Sequence, residues 1–185
     1  MEAKHTVLTT VVLSALLVGV AVAPAGAAQT DTAPEPSLTV DLAADGDARV
    51  TLVSTFDLTD ESAQASFDEL RTNETVRSAY QARYTDRWSS AASITENRTG
   101  REMAVTNSSL TLSRTNATGL ATFSLTWEQL AAAEDGVVTL DEPFASGFET
   151  DRQFTIRLPE GYQMTSVSPG PADSSDGQID YAADA

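Results

Sequence analysis

The sequence predicts an α+β fold: a mainly antiparallel sheet of about six or seven strands, with a helical segment over residues 60–96 packed on one face. Three observations carry that expectation. Residues 37–58 and 101–127 alternate apolar and polar side chains, the period of a half-buried strand. Between them, Ala63, Phe67 and Leu70, then Val76, Tyr80, Tyr84, Trp88 and Ala92, recur at helical spacing. After Gly136 the period of two returns in "VVTL" and "DRQFTIRL".

Taken in order, the chain opens with Lys4 and His5, then an apolar run from Val7 to Val22, then Ala25, Gly26 and Ala27. This is the anatomy of a secretory signal peptide, residues 1–27, with cleavage expected after Ala27. The apolar run is short for a membrane span and is closely followed by Pro24; an uncleaved N-terminal anchor is the competing reading. Residues 28–36 form a polar, Pro-bearing linker. A single domain is expected over 37–168, followed by a polar, flexible tail over 169–185 rich in Pro, Gly and Ser. Within that tail "QIDY" is a candidate for one further short strand.

The segment 37–58 reads as a hairpin turning at "ADGD", where Asp45-Gly46 tolerates positive φ. Thr59 is the expected helix cap, with Asp60 and Glu61 favourably placed at the positive end of the dipole. The helical pattern falters at "RTNET" and resumes, giving two helices or one broken helix, closed near Gly100. The face carrying Arg77, Arg83 and Arg87 is expected to be solvated, and the Tyr80–Tyr84–Trp88 stripe to be core. "MAVTNSSLTLSR" and "LATFSLTW" form a hairpin with Asn116 at its tip. "WEQLAAAEDG" reads as one or two helical turns. In "TLDEPFASGFETDRQFTIRLPEGY", Pro143 and Gly147 interrupt regular structure, and Phe144 and Phe148 are expected to plug a sheet edge. The expected core comprises Phe56, Phe67, Leu70, Tyr80, Trp88, Leu112, Phe123, Leu125, Trp127, Phe154, Ile156 and Leu158.

Composition narrows the chemistry. The formal net charge is −16, and removing residues 1–27 takes one Lys and one Glu and leaves it unchanged. Such a surface repels nucleic acid and anionic lipid, so neither is an expected partner. Beyond residue 5 there is no Lys, His or Cys, and every cation is Arg. That pattern fits a protein working in molar salt, where charge repulsion is screened within about 3 Å and carboxylates keep the surface hydrated. Without imidazole or thiol there is no His-dependent triad and no common zinc site; without lysine there is no Schiff base. Asp41, Asp45 and Asp47 lack the later glycine and distal glutamate of a calcium loop. No catalytic residue, metal ligand or cofactor is therefore assigned.

All four asparagines, Asn73, Asn97, Asn107 and Asn116, begin N-x-[ST] acceptors, a coincidence chance would rarely produce. They are the expected glycosylation sites, and a bulky hydrophilic glycan requires each to lie in a turn or on an exposed face.

The order of "GREMAVTNSSLTL", "TFSLTWEQLA", "DEPFASGFETDRQFTIRLPEGY" and "SVSPGP" resembles a family of haloarchaeal secreted or cell-surface proteins over residues 37–171. "PFASGF" and "LPEGY" are its most recognisable parts. The resemblance implies an ectodomain without assigned function, often anchored to the membrane C-terminally and sometimes linked to a winged-helix domain. It implies no catalytic residues. No anchoring segment precedes Ala185, so membrane contact is expected only through an uncleaved N-terminus or an anchor missing from this chain. Three functions follow as expectations. The first is a non-catalytic secreted or cell-surface glycoprotein domain that binds or packs against other cell-envelope components. The second is the sensor ectodomain of a membrane-anchored regulator. The third is a carboxylate-based extracellular hydrolase, which needs two acids converging in a pocket, at least one with a raised pKa.

Overall fold

A computed structural model of the chain describes residues 35–146, 150–168, 170–171, 173–175 and 177–181, together with the backbone of residues 11–15. The expected cleavage point after Ala27, linker residues 28–34 and Phe148 lie outside the described residues. The fold is α+β: a seven-stranded, mostly antiparallel sheet with two helices, and a smaller four-stranded sheet.

The strands are β1 (Val11–Ala15), β2 (Ser37–Leu42), β3 (Ala48–Asp57), β4 (Ala104–Thr115), β5 (Thr118–Glu128), β6 (Ala132–Glu134), β7 (Val137–Leu140), β8 (Gln153–Arg157), β9 (Tyr162–Ser166), β10 (Asp173–Ser175) and β11 (Gln178–Tyr181). The helices are α1 (Glu61–Thr72) and α2 (Glu74–Thr99). The large sheet runs in the order β10-β11-β8-β2-β3-β5-β4, and the small one β6-β7-β1-β9. The β2–β8 pair is parallel; the other pairs are antiparallel.

The apolar alternation of the sequence becomes the inner face of the large sheet. Leu38, Val40, Leu42, Val50, Leu52, Phe123, Leu125, Trp127, Phe154 and Ile156 are all buried there. Helix α2 lies across β4 and β5, and α1 across β3. Only Ala92 and Thr95 of α2 are fully buried. The helix docks mainly through partly buried rings, Tyr84 at 5.5 Å from Phe123 and Trp88 edge-on to Trp127 at 5.9 Å. Helix α1 inserts Phe67, fully buried, against Phe56 at 5.4 Å between ring centroids. Phe67 fits because residue 119 is glycine: a Cβ there would sit 2.9 Å from the ring. Phe56, Tyr80, Trp88, Leu112 and Leu158, expected in the core, are only partly buried.

The helix boundaries are chemical. Asp60, rather than the expected Thr59, caps α1, its carboxylate accepting from the Ala63 amide at 2.8 Å. Thr59 instead donates through its amide and hydroxyl to Asp57, and those two bonds hold the Asp57 carboxyl below its ordinary pKa. The break in "RTNET" is Asn73, extended at φ −105°, ψ 104°. Its amide donates to the Glu69 carbonyl, ending α1, while its Oδ1 accepts from the Thr75 and Val76 amides, starting α2. Gly100 closes α2 in the left-handed conformation.

Two further expectations are corrected. The segment "WEQLAAAEDG" is not helical: Trp127 and Glu128 complete β5, the chain bends at Gln129 and Leu130, and Ala132–Glu134 pairs with β7 as strand β6. Local propensity loses to a long-range anchor. The Gln129 amide donates to Asp47 Oδ1 at 2.9 Å, and the Ala131 amide donates to the Gly46 carbonyl at 2.9 Å. Gly46, at φ +92°, has no Cβ to collide with Ala131. Leu130 and Ala131 are thereby driven to full burial. The second correction concerns residues 169–185. Rather than a flexible tail, β10 and the candidate strand "QIDY", now β11, extend the large sheet beside β8. Ile179, paired with Ile156, is fully buried, and Thr155 donates to Asp180 at 2.6 Å. Tyr181, Phe154 and Phe144 form a stacked series, with centroid spacings of 5.6 and 5.1 Å.

Candidate functional site: a two-arginine cleft beside helix α2

A cleft of about 490 Å3 opens between α2, the large sheet and the segment joining β7 to β8. Its apolar floor is Leu38 and Leu52, cross-strand partners in β2 and β3. One wall is a single face of α2, formed by Tyr84, Arg87, Trp88 and Ala91. Residues 84, 88 and 91 share that face because their spacing is helical. The opposite wall is Pro143 with Thr150, Asp151 and Arg152, and the Glu142–Pro143 bond is cis.

Two guanidinium groups meet this cleft. Arg152 Nε donates to Asp151 Oδ1 at 3.0 Å, while its Nη1 is buried without a hydrogen-bond partner among the described residues. Arg87 is exposed and forms no ion pair with a described residue. In a chain with far more acids than cations, a buried guanidinium nitrogen left unsatisfied is unusual, because an unmade charged hydrogen bond is costly. The one acid lining the cleft among the described residues, Asp151, has its carboxyl held below the ordinary range by the hydrogen bond from Arg152 and by that group's charge. It is therefore ionised at neutral pH and poorly suited to donate a proton.

A second hollow, lined by Val76, Ala79, Tyr80 and Arg83, has walls from one helix only. There the Arg83 guanidinium lies 5.4 Å from the centre of the Tyr80 ring and 5.7 Å from that of Tyr84. The three aspartates considered as a calcium loop are engaged elsewhere: Asp41 pairs with Arg157 at 3.1 Å, Asp45 accepts from the Asp47 amide, and Asp47 holds Gln129.

The four asparagines are all exposed, and none lines the cleft. Asn73 joins the helices, Asn97 lies in the last turn of α2, Asn107 sits at the register shift in β4, and Asn116 caps the β4–β5 hairpin tip. Asn107 and Asn116 adopt positive φ, at 52° and 53°. Sequence reasoning anticipated these placements but missed the cleft. It took Tyr84 and Trp88 as core and Arg87 as part of a solvated face. The available signal was Arg87 beside that aromatic stripe, set against the Arg-Asp pair before β8.

The fold and cleft define a class: a small α+β domain with a hollow between helix and sheet, lined among the described residues by aromatic and aliphatic side chains and two arginines. Residues 39–162 match a domain of unknown function, DUF7345; the chain belongs to that family. The matched span contains every residue lining the cleft except Leu38. No curated protein and no solved structure matches the chain.

Proposed function

We propose that this chain is the binding ectodomain of an exported, salt-adapted glycoprotein of haloarchaeal type, acting without catalysis. The observation that carries the reading is the cleft: an aromatic and aliphatic hollow bearing, among the described residues, one guanidinium nitrogen without a hydrogen-bond partner and a second guanidinium without an ion pair. Its chemistry suits a small organic anion with an apolar body. In brine, exposed charges are screened within about 3 Å, so long-range attraction contributes little. Direct charge-assisted hydrogen bonds inside the cleft persist, each contributing about 1.5–3 kcal/mol, and burial of the apolar body on Trp88, Tyr84 and Leu52 adds to them. Export is supported by the leader-like residues 1–27 and by four acceptor asparagines, all exposed.

Two measurements test this. Intact mass and fractionation of the natively produced protein read cleavage after Ala27, sugar on Asn73, Asn97, Asn107 and Asn116, and attachment to the envelope together. An unprocessed, sugar-free protein inside cells refutes export. Titration with phenylacetate in high salt, followed by tryptophan fluorescence, reads the cleft through Trp88. Saturable quenching that Arg152→Gln weakens at least tenfold, in a variant with unchanged melting temperature, supports the binding role. Quenching absent, or indifferent to Arg152→Gln, removes it.

A further inference from the structure

The four acceptor asparagines differ in how their side chains are engaged. Attachment of a sugar forms a bond between an asparagine Nδ2 and the anomeric carbon of a sugar activated as a phosphate ester. The carbon–oxygen bond to the phosphate breaks, the phosphate leaves with that electron pair, and Nδ2 gives up one proton. An amide nitrogen is a weak nucleophile, because its lone pair is delocalised into the carbonyl. Transfer therefore requires Nδ2 to be released from other bonds. It also requires the N-x-[ST] segment to leave regular structure and enter the site of another protein.

Asn97 is held on both counts. Its Nδ2 donates to the Ser93 carbonyl at 2.7 Å. The threonine of the same acceptor, Thr99, donates its hydroxyl to the Thr95 carbonyl at 2.9 Å. Asn97, Arg98 and Thr99 are all helical. This end of α2 is fastened further: Glu96 accepts from the Gly100 amide through its carbonyl and from the Met103 amide through its carboxylate, and Thr95 is buried. Presenting Asn97 means unwinding the last turn of the helix.

Asn116 is the opposite case. With Ala117 it forms the exposed two-residue loop between β4 and β5, at φ 53°. Asparagine tolerates that left-handed conformation, so this acceptor is presented without opening a helix. Asn73 and Asn107 lie between these extremes. Among the described residues Asn73 uses its Oδ1 to cap α2, whereas the Asn107 Nδ2 makes one long bond, 3.5 Å to Thr106 Oγ1, and its partner Ser109 shares a hydrogen bond with Ser124.

Position adds a consequence. Ala91 lines the cleft, and Asn97 follows it by about 9 Å along the helix axis. The next residue, Arg98, pairs with Glu142 at 3.4 Å, beside the Pro143 wall. A sugar on Asn97 would stand close to the cleft.

We propose that sugar transfer acts on the folded domain and is selected by local structure: Asn116 is modified and Asn97 stays bare, which keeps the end of α2 beside the cleft uncovered. The inference rests on the reading of this chain as an exported glycoprotein.

Glycopeptide mass spectrometry of the natively exported protein measures occupancy site by site. Asn116 should be occupied about tenfold more than Asn97, or better, because only Asn97 needs local unfolding first. Ile94 is exposed and lies in the same end of α2, outside the acceptor itself. Ile94→Gly weakens the helix there and should raise occupancy of Asn97 about fivefold while leaving Asn116 unchanged. Three results overturn the proposal: Asn97 occupied as fully as Asn116 in the unaltered protein, Asn97 occupied with Asn116 bare, or occupancy of Asn97 indifferent to Ile94→Gly. Sugar at none of the four sites refutes the glycoprotein reading, and the selection with it. Sugar at Asn97 and Asn116 alike refutes the selection and leaves that reading standing.

Discussion

The two sheets are built on opposite terms. In the large sheet, β2–β3 and β4–β5 are hairpins of neighbouring segments with long registers, and the faces they present bury most of the core. In the small sheet the strands are three to five residues long, and the middle one is borrowed from far away in sequence. Val138 and Leu140 nonetheless reach full burial, packing on the same core as Leu130 and Ala131. The lesson is that burial alone does not make a region self-sufficient. The large sheet joins its two hairpins through the long-range β3–β5 and β2–β8 pairings, whereas the small sheet takes its middle strand from a distant segment.

The largest test of that contrast makes one chemical change in each region. Leu125→Ala in β5 should cost about 4–5 kcal/mol, because surrounding strands prevent collapse of the cavity. Leu140→Ala in β7, equally buried, should cost only about 2–3 kcal/mol, because the short sheet can relax around it. Equal losses in denaturant melts would show that both regions are equally rigid. Gly119→Ala comes next: its Cβ would stand 2.9 Å from the Phe67 ring, and relieving that overlap should cost about 1–3 kcal/mol. Restoration of stability by Phe67→Leu in the same chain would locate the strain at that contact; its failure would locate it elsewhere.

Capping effects are smaller. Asp60→Ala removes the acceptor of the Ala63 amide and should lower stability by about 1 kcal/mol, with Asp60→Asn nearly neutral. A loss from Asp60→Asn as large as that from alanine would mean that the charge, rather than the cap, matters. The smallest effect is a pH dependence. Burial, then the hydrogen bond with Tyr84, pushes the Tyr80 phenol up to about 12. The fold thus prefers the neutral phenol. Its contribution is complete below the unfolded value near 10 and is lost as pH rises from there through about 12. Tyr80→Phe should flatten the alkaline limb of the stability curve, and an unaltered limb would assign that loss to other groups.

Much of this architecture was legible in the sequence because it rests on period. Alternation in 37–58 and 101–127, the four-residue recurrence after Val76, and Gly100 at a helix end all act locally. The parts that were not legible depend on partners far away. Residues 128–134 bend because Asp47 and Gly46 hold the amides of Gln129 and Ala131, which no local window contains. Ile179 is a lone apolar residue in polar sequence, and only its pairing with Ile156 shows that it belongs to the core. The cleft was hidden for a related reason. Tyr84 and Trp88 do pack against the core, but they also wall a hollow whose other side is set by Pro143 and Arg152.

Asn73 carries a practical consequence for anyone mapping sugar attachment. Blocking an acceptor by changing its asparagine to glutamine is routine elsewhere, but here it would lengthen the side chain whose Oδ1 starts α2. The resulting loss of stability would read as the loss of a glycan while reporting a broken helix junction. Thr75→Val avoids the confusion: it erases the acceptor pattern and leaves the Asn73 carbonyl oxygen, and the backbone amide it receives from residue 75, in place.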